Sequence, residues 1–375
     1  MICMKLRYQY KLRPGRQALA LLTAQYDATR WVWNQCVERF TKHQDTSQTV
    51  LHRLLTKWRS ENSWLTAQPV VPQQQIIRDF VAAKNAFFKG QRKPPRFKAA
   101  KRSLPSLNYT LRGFSLPDGR LRLAGGVIIP VVWSRDLPSE PSSVRVYQDA
   151  AGWWWASFVV ERQHQVKSRQ RDGAIGIDWG VKTPAKTTDG QFDLHYSQRA
   201  RRSAAALKRE QRKMARHRAK RDWQPYRKAK AKAATIQRTV RWQRKEQARS
   251  WAQHVAANHL HIACEDFKPA FLATTRMARK AAENAIGLVK TELAQAAQDY
   301  GATLHLIDPK YTTMDCSTCG TRAKRRIELS QRTYACNHCG TSIDRDLNAA
   351  RNMIIRAGFN PADHDGLRPQ LAEAA

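Results

Sequence analysis

Two matched cysteine pairs near the end of the chain constrain its fold more than any other feature. Cys316 and Cys319 form the first pair, Cys336 and Cys339 form the second, and sixteen residues separate the pairs. Each Cys-x2-Cys pair suits a tight turn whose thiolates converge on one ion, and two pairs complete a closed tetrahedral zinc site. Two disulfides or free thiols are the alternative, which this spacing disfavours. We therefore predict a structural zinc ion, because a site with no open position cannot activate water.

The remaining cysteines and the hydropathy of the chain indicate a reducing compartment. Seven cysteines are an odd number, whereas a disulfide framework uses an even one. Cys36 and Cys264 lie in apolar surroundings and are predicted to be small core residues. The first residues lack the apolar segment of a signal peptide, and no window approaches 18 apolar residues. We expect a cytoplasmic protein with no membrane partner.

The charge of the chain is far from balanced. Its 375 residues, enough for two or three domains, include 66 Lys and Arg against 30 Asp and Glu, a net charge of +36. Such an excess repels itself unless a polyanion neutralises it, and nucleic acid does so through its phosphates. A membrane surface is a weaker alternative, because no amphipathic segment or lipid anchor accompanies the basic clusters. The composition therefore predicts a nucleic-acid-binding protein.

Two segments concentrate the positive charge. Residues 199–249 carry 20 Lys or Arg against three acidic residues, and their composition predicts two long helices with a break near 223–225. Residues 89–103 form a loop rich in Lys, Arg and Pro. A solvated charged face is the alternative for the helices, and their lopsided charge disfavours it. The candidate nucleic-acid contacts in these segments are Arg96, Lys98, Arg212, Arg216 and Arg241.

The N-terminal half contains a strand, a helical region and then a series of strands. Alternating apolar and basic residues predict a strand over 4–12. Apolar residues at helical spacing follow Pro14 and continue to about Lys42. The segments predicted after this are helices at 47–60 and 73–89, strands between 107 and 162, and a polar linker at 163–172.

The C-terminal half alternates strands with helices, which is typical of an α/β domain. The predicted strands are 174–178, 183–189, 258–265 and 303–307. The helices predicted beyond the basic pair are 279–300 and 346–357, and residues 360–375 are expected to form a loose tail.

Three carboxylates stand where an α/β fold builds its sites. Asp178 and Glu265 each end a buried apolar strand, where a carboxylate is costly unless it is paired or binds a metal. Asp346 stands where a helix begins, so the helix dipole favours its ionised form. Strand ends and helix starts converge at one edge of such a sheet. We therefore predict that the three side chains form one site.

Converging carboxylate oxygens suit two Mg²⁺ or Mn²⁺ ions about 3.5–4 Å apart rather than zinc. Such a pair activates a water for in-line attack on a phosphodiester and stabilises the leaving oxygen. Taken singly, each residue has another explanation: Asp178 as a turn cap, Glu265 as the partner of an arginine, Asp346 as a plain N-cap. Their combination in a strongly basic chain favours a metal-dependent nuclease.

In their order along the chain, these motifs resemble those of the transposon-encoded TnpB (OrfB) proteins. The matching C-terminal segments are Gly176–Val181 (GIDWGV), Ala263–Asp266 (ACED), the two Cys-x2-Cys-Gly turns and Asp344–Asn352 (DRDLNAARN). The matching N-terminal segments are Tyr8–Pro14 (YQYKLRP), Thr29–Asn34 (TRWVWN) and Pro95–Lys98 (PRFK). The resemblance therefore covers nearly the whole chain.

This resemblance implies an α/β architecture: a RuvC-like, RNase H-type nuclease domain with an inserted zinc ribbon, preceded by a helical recognition lobe and a β-barrel wedge lobe. The residues so assigned are 1–13 and 89–165 for the wedge barrel, 14–88 for the recognition lobe, 173–309 and 344–358 for the nuclease, 310–343 for the ribbon and 359–375 for a flexible tail. By the same resemblance Asp178, Glu265 and Asp346 are the catalytic residues and Mg²⁺ ligands. Asp344 is the main alternative to Asp346.

The resemblance also implies an activity and its partners. TnpB proteins are RNA-guided DNA endonucleases: they bind a guide RNA from the transposon end, read a short motif beside the target in double-stranded DNA, and cut at one RuvC site. It further implies one protein per RNA in a prokaryotic cytoplasm, associated with the nucleoid when bound to DNA. The candidates for reading the flanking motif are Gln73, Gln74, Gln75 and Lys84, although a glutamine run is equally a plain helix start.

Three other functions stay open at this level. A nuclease-inactive, RNA-guided DNA-binding regulator would share the architecture, but all three acidic positions are filled here. A transposase that also joins DNA would need a catalytic tyrosine with a histidine pair, a signature that is not found. A compact type V CRISPR effector would differ only in its genomic neighbourhood.

Overall fold

The structure is a computed structural model that describes residues 3–100, 103–163, 165–170, 172–180, 183–195, 198–266, 285–325 and 331–360. The chain divides into two compact units, Met1–His164 and Gln165–Ala375. The predicted helical residues 279–284 and the tail 361–375 lie outside the described residues. Within the described residues, no helix is both long enough and apolar enough to cross a membrane.

The first unit contains a helical bundle built on four helices. They are α1 (Arg16–Thr41), α2 (Gln48–Glu61), α3 (Ser63–Thr66) and α4 (Val70–Phe88). Their apolar faces share one core that includes Val32, Cys36, Leu51, Ile77 and Phe80. Cys36 is fully buried, which confirms its predicted role as a small core residue. The three long helices lie where helical spacing predicted them, and the single-turn α3 was not predicted.

A seven-stranded antiparallel sheet completes this unit. Its strands are β1 (Cys3–Leu12), β2 (Ser106–Thr110), β3 (Phe114–Ser115), β4 (Arg120–Leu123), β5 (Val127–Val132), β6 (Ser143–Gln148) and β7 (Trp154–Gln163). They pair in the order β2-β6-β7-β1-β5-β4-β3. The two edge strands, β2 and β3, are joined by only Leu111–Gly113, so the edges lie close together. The sheet therefore curls into a nearly closed barrel, which removes most of its exposed edge.

The second unit is built on a four-stranded sheet. Its strands are β8 (Gly173–Asp178), β9 (Lys186–Thr187), β10 (His259–Glu265) and β11 (Thr303–Ile307), in the order β11-β10-β8-β9. Strands β11, β10 and β8 are parallel to one another, and β9 runs antiparallel to β8. The strand predicted over 183–189 is wrong in length, because β9 contains only Lys186 and Thr187. The Asp193 side chain accepts hydrogen bonds from the backbone N and hydroxyl of Thr187, and a 3-10 turn follows at Gly190–Phe192.

Helices cover both faces of this sheet, and a short hairpin precedes the last helix. The helices are α5 (Gln198–Ala219), α6 (Trp223–Asn258), α7 (Ile286–Tyr300) and α8 (Arg345–Arg356), and the hairpin pairs β12 (Thr333–Ala335) with β13 (Ser342–Asp344). The break between α5 and α6 falls where it was predicted. On one face, Ile175 and Ile177 pack with Val255 of α6 and Leu293 of α7. On the other face, the sheet packs against α8.

Candidate active site and metal centre

The alternation of side chains along the strands places two of the predicted carboxylates on one face of the sheet. Ala174 of β8 and Ala263 of β10 pack against α8, whereas their neighbours Ile175 and Ile262 pack on the opposite face. Because side chains two residues apart share a face, Asp178 and Glu265 also lie on the α8 side. The strands are parallel, with Cys264 opposite Ile177, so both carboxylates stand at the same sheet edge.

A glycine brings the third carboxylate to this edge. A Cβ on Gly176 would lie 2.0 Å from the backbone oxygen of Ala350 in α8, so only glycine allows the helix to approach this closely. Asp178 is two residues further along the same face of β8. Asp346 is one helical turn before Ala350, and residues four apart share a helix face. The contact between Gly176 and Ala350 therefore sets the position of Asp346 near the end of β8.

Burial raises the pKa values of Asp178 and Glu265, and neighbouring carboxylates raise that of Asp178 further. Asp178 is only 7% exposed. Its pKa is raised well above the usual value, first by loss of solvation and then by the nearby charges of Glu265 and Asp346. Burial also raises the pKa of Glu265 to about 7, although Lys290 opposes this effect. A buried carboxyl such as Asp178, whose ionisation is hindered by neighbouring carboxylates, lies in a site that a cation would stabilise.

In the structure, arginines provide the positive charge around Asp346. Arg345 Nη2 lies 3.1 Å from Asp346 Oδ1, and Arg332 Nη1 lies 3.3 Å from Oδ2. Among the described residues, the three carboxylates do not gather their oxygens within 4.8 Å of one another. Asp344 is engaged differently, because its Oδ1 accepts hydrogen bonds from the backbone N of Asp346 and Leu347 as the N-cap of α8. The structure thus gives Asp344 a capping role, and the charge of Asp346 raises the pKa of Asp178 more than the charge of Asp344 does.

The four cysteines of the two pairs form a compact cluster. All four sulfurs lie within 4.8 Å of one another and none is in a disulfide. Cys316 Sγ lies 3.7 Å from Cys339 Sγ, and Cys319 Sγ lies 3.6 Å from Cys336 Sγ. Sulfurs about 2.3 Å from a tetrahedral zinc ion would lie about 3.8 Å apart, whereas a disulfide bond is about 2.0 Å long. The cluster could therefore hold zinc, and disulfide pairing is excluded.

The two cysteine turns have the same backbone geometry. Gly320 has φ +73° and donates its N–H to the carbonyl oxygen of Cys316 at 2.8 Å. Gly340 has φ +74° and donates to Cys336 at 3.0 Å. A residue with a Cβ is strained at such φ values, so the glycine after each pair is required by the turn. The repeated turn presents both pairs of thiols in the same way.

Two asparagines of α8, whose roles the sequence did not reveal, attach the helix to the first cysteine turn. Asn348 is fully buried. Its Oδ1 accepts a hydrogen bond from the backbone N–H of Ser317 at 2.9 Å, and its Nδ2 donates to the backbone oxygen of Asp315 at 2.8 Å. Asn352 Nδ2 donates to the same backbone oxygen of Asp315 at 2.7 Å and to the backbone oxygen of Thr312 at 2.8 Å. The sequence offered one signal for this role, namely two asparagines spaced four residues apart on the same helix as Asp346. The first cysteine turn is therefore attached to the helix that carries Asp346.

The candidate nucleic-acid contacts occupy contrasting environments. Arg212 and Arg216 line a groove of about 560 Å³ along α5, and Arg241 is exposed on α6. The groove is lined by Ala205, Lys208, Arg209, Arg212, Lys213 and Arg216. Arg96 is exposed in the first unit, whereas the ammonium of Lys98 lies 4.0 Å from the centroid of the Trp33 ring. Burial lowers the pKa of Lys98 to about 8, which weakens it as a phosphate ligand.

The glutamine run on α4 is split by burial. Gln73 is fully buried and donates Nε2 to the carbonyl oxygen of Leu65 at 3.0 Å, so it cannot reach a DNA groove. Gln74 is exposed and Gln75 is partly exposed. Lys84 donates Nζ to the backbone oxygen of Thr46 at 2.8 Å, an intramolecular contact that holds the loop before α2. Gln74 and Gln75 therefore stay available for an external ligand.

Comparison with known proteins supports the predicted relationship. Residues 157–275 match the OrfB_IS605 family, described as "Probable transposase", and residues 287–353 match the "Cas12f1-like, TNB domain". The first match includes Asp178 and Glu265, and the second includes the cysteine cluster and Asp346.

Two relatives match the chain over most of its length. A protein of Streptomyces pristinaespiralis is 29% identical, covering 98% of this chain and 92% of its own length. A protein of Escherichia coli K12 is 24% identical, covering 92% and 91%. Both are named "Putative RNA-guided DNA endonuclease", the second with the designation InsQ.

A solved structure shares the fold. Cas12f1, determined by cryo-EM in its complex with sgRNA and target DNA, covers 94% of this chain and 98% of its own chain with a TM-score of 0.57 and 13% identity. The family matches, the two relatives and this structure agree with the motifs of the sequence. The resemblance of the chain to the TnpB (OrfB) family is therefore confirmed.

Proposed function

We propose that this protein is an RNA-guided DNA endonuclease encoded by a transposable element, which hydrolyses phosphodiester bonds at a single RuvC-like site. One observation carries the proposal: Asp178 and Glu265 end neighbouring parallel strands at one sheet edge, and the charges of Glu265 and Asp346 add to burial in raising the pKa of Asp178. The similarity of the chain, over nearly its whole length, to proteins named RNA-guided DNA endonucleases supports the same function.

The chemistry follows from the donor set. Carboxylate oxygens are hard ligands, and Asp178, Glu265 and Asp346 would hold Mg²⁺ or Mn²⁺ in ionised form. When bound, two such ions activate a water for in-line attack and stabilise the leaving oxygen. Burial of Asp178 keeps its oxygens away from bulk water, which strengthens their attraction for a cation. Arg332 and Arg345 pair with the oxygens of Asp346 and would compete with a cation for them.

The other parts of the chain take supporting roles in this proposal. The four cysteines hold a structural zinc ion in a ribbon (310–343) inserted in the nuclease domain (173–309 and 344–358). Residues 14–88 form the recognition lobe, and residues 1–13 and 89–165 form the wedge barrel.

The guide RNA derives from the transposon end, and the target is double-stranded DNA with a short flanking motif, one protein acting per RNA. The contacts proposed to hold the RNA–DNA duplex through its backbone are Arg96, Lys98, Arg212, Arg216 and Arg241. Gln74 and Gln75 remain the candidates for reading the flanking motif, and Lys84 could join them only by releasing Thr46.

The carboxylate at 178 provides the sharpest test. Asp178→Ala should abolish cleavage of target DNA while leaving RNA binding intact, because the carboxylate contacts the metal and not the guide. Asp172→Ala is the matched control: its side chain is 66% exposed and pairs with nearby Arg169, so cleavage should be unchanged. A variant at 178 that still cuts would refute the site.

The RNA that copurifies with the protein tests the guide. Sequencing should reveal a defined RNA species, and DNA matching its 3′ segment should be cut only in its presence. Specific DNA recognition that survives RNase treatment would contradict RNA guidance. If the protein with all three carboxylates binds target DNA but never cuts it with Mg²⁺ or Mn²⁺, the regulator is the correct alternative.

A further inference from the structure

We propose that Phe97 is a stacking platform for a nucleobase, held outward by a loop that is clamped to α1. This inference rests on the proposed function only in taking nucleic acid as the partner. It concerns the segment Pro95–Lys98, which lies in the first unit and contains none of the candidate metal ligands.

Two side chains of α1 clamp the loop on both sides of Phe97. Trp33 donates its indole N–H to the backbone oxygen of Arg96 at 2.8 Å. Asn34 makes a reciprocal pair with Lys98: Nδ2 donates to the Lys98 oxygen at 3.2 Å, and Oδ1 accepts from the Lys98 N–H at 2.8 Å. Three hydrogen bonds thus hold the backbone immediately before and after Phe97. A loop held in this way presents its side chains in a defined direction.

Burial in the clamped loop is the reverse of what side-chain polarity predicts: Lys98 is partly buried and Phe97 is exposed. Pro95 is buried, and the ammonium of Lys98 lies over the Trp33 ring at 4.0 Å from its centroid. Phe97 is instead 57% exposed. What distinguishes this ring is the fixed backbone on both sides of it, which leaves a flat aromatic face accessible to a ligand. Simple core packing does not account for Phe97, because the loop buries Pro95 and not the ring.

The surroundings of Phe97 favour a nucleobase as its ligand. Arg92, Lys93 and Arg96 are all exposed in the same loop and carry no acidic neighbour between 89 and 100. Such cations attract phosphates and would oppose a plain apolar protein partner in a chain of net charge +36. An aromatic ring beside a basic track is how proteins bind unstacked bases, independently of sequence. The ring is suited to a base at a duplex end or in a single strand of either guide RNA or target DNA.

Binding of mixed-sequence 20-nucleotide RNA and DNA, with the full-length protein, tests the platform. Phe97→Ala should raise Kd by about 5- to 150-fold for the strand that stacks, the range for loss of one base–aromatic contact. Phe97→Trp should retain the affinity, because it preserves a flat aromatic face. The salt dependence of Kd should be unchanged by either variant, whereas Arg96→Ala should lower the slope of log K against log salt by about one.

A fluorescent base identifies the source of the ligand. 2-Aminopurine, which is quenched by stacking, is placed in the RNA in one series and in the DNA in another. The series in which Phe97→Ala relieves quenching names the strand. Leu111→Ala is the control, since Leu111 is 67% exposed in the same unit but stands outside the loop.

Three outcomes would overturn the inference. Unchanged affinity and quenching for Phe97→Ala in both series would refute it while leaving the proposed function intact. An equal rise in Kd for Phe97→Trp would show that phenylalanine is needed at this position for packing rather than for stacking on a base. Failure of the unsubstituted protein to bind either strand would refute the inference together with the proposed function.

Discussion

Gly176→Ala tests the contact that brings α8 to the sheet. An added Cβ would lie 2.0 Å from the backbone oxygen of Ala350, and ordinary contact begins at 3.4 Å. The difference means that α8 must retreat by about 1.4 Å, because neither the strand nor the helix backbone can rotate the clash away. Asp346 would move with the helix, away from Asp178.

This displacement sets the size of the effect. Overpacking of this kind costs about 1–3 kcal/mol of unfolding free energy, which for a domain of this size lowers the melting temperature by roughly 4–8 °C for 2 kcal/mol. A misplacement of about 1 Å in a catalytic group can reduce the rate by about 100-fold. We therefore expect Gly176→Ala to retain its fold and zinc content while losing at least about 100-fold in the rate of DNA cleavage.

The assay compares single-turnover cleavage, zinc content and thermal unfolding. Gly190→Ala is the matched control in the same unit, because a Cβ at Gly190 would meet nothing within 4 Å and its φ is not positive. It should cleave at the rate of the unsubstituted protein. If Gly176→Ala cleaves within threefold of that rate at the same melting temperature, the helix does not position Asp346 as inferred here.

Three further predictions address the carboxylates and the cysteine cluster. Glu265→Gln should abolish cleavage yet stabilise the metal-free protein at pH 8 by up to about 3 kcal/mol. The sign follows because the pKa of Glu265 is raised to about 7 in the folded state, so its ionisation above that pH favours the unfolded chain. Denaturant unfolding should show this gain vanishing below about pH 4.5, where both states are protonated, and a gain that persists there would contradict it. Asn348→Ala should cost about 2 kcal/mol or more by leaving the Ser317 N–H without its acceptor, and should weaken cleavage while zinc, measured by elemental analysis, is retained. Cys316→Ser should reduce bound zinc below one ion per chain and lower the melting temperature, and unchanged metal content would refute the zinc site.

Local patterns determined much of this protein. Cysteine spacing alone predicted the four-sulfur cluster, because the turn of each pair is a local structure that needs only the glycine after it. A short apolar run predicted that Asp178 ends a buried strand, and alternation predicted the same for Glu265. Apolar residues at helical spacing predicted α1 and α7, and composition predicted the two basic helices. These predictions depend on neighbouring residues only, and the strands and helices lie close to the predicted bounds.

Contacts between distant residues decided the rest. The approach of α8 to β8 depends on the absence of a Cβ at Gly176, 174 positions before Ala350, and no local pattern reports it. The same holds for the clamp of Trp33 and Asn34 on the loop at Phe97, and for the burial of Gln73, whose neighbour Gln74 is exposed. Periodicity indicates which face of an element is apolar, but not which element covers it or at what distance. That distance, set by close packing of the tertiary structure, places Asp346 near enough for its charge to raise the pKa of Asp178.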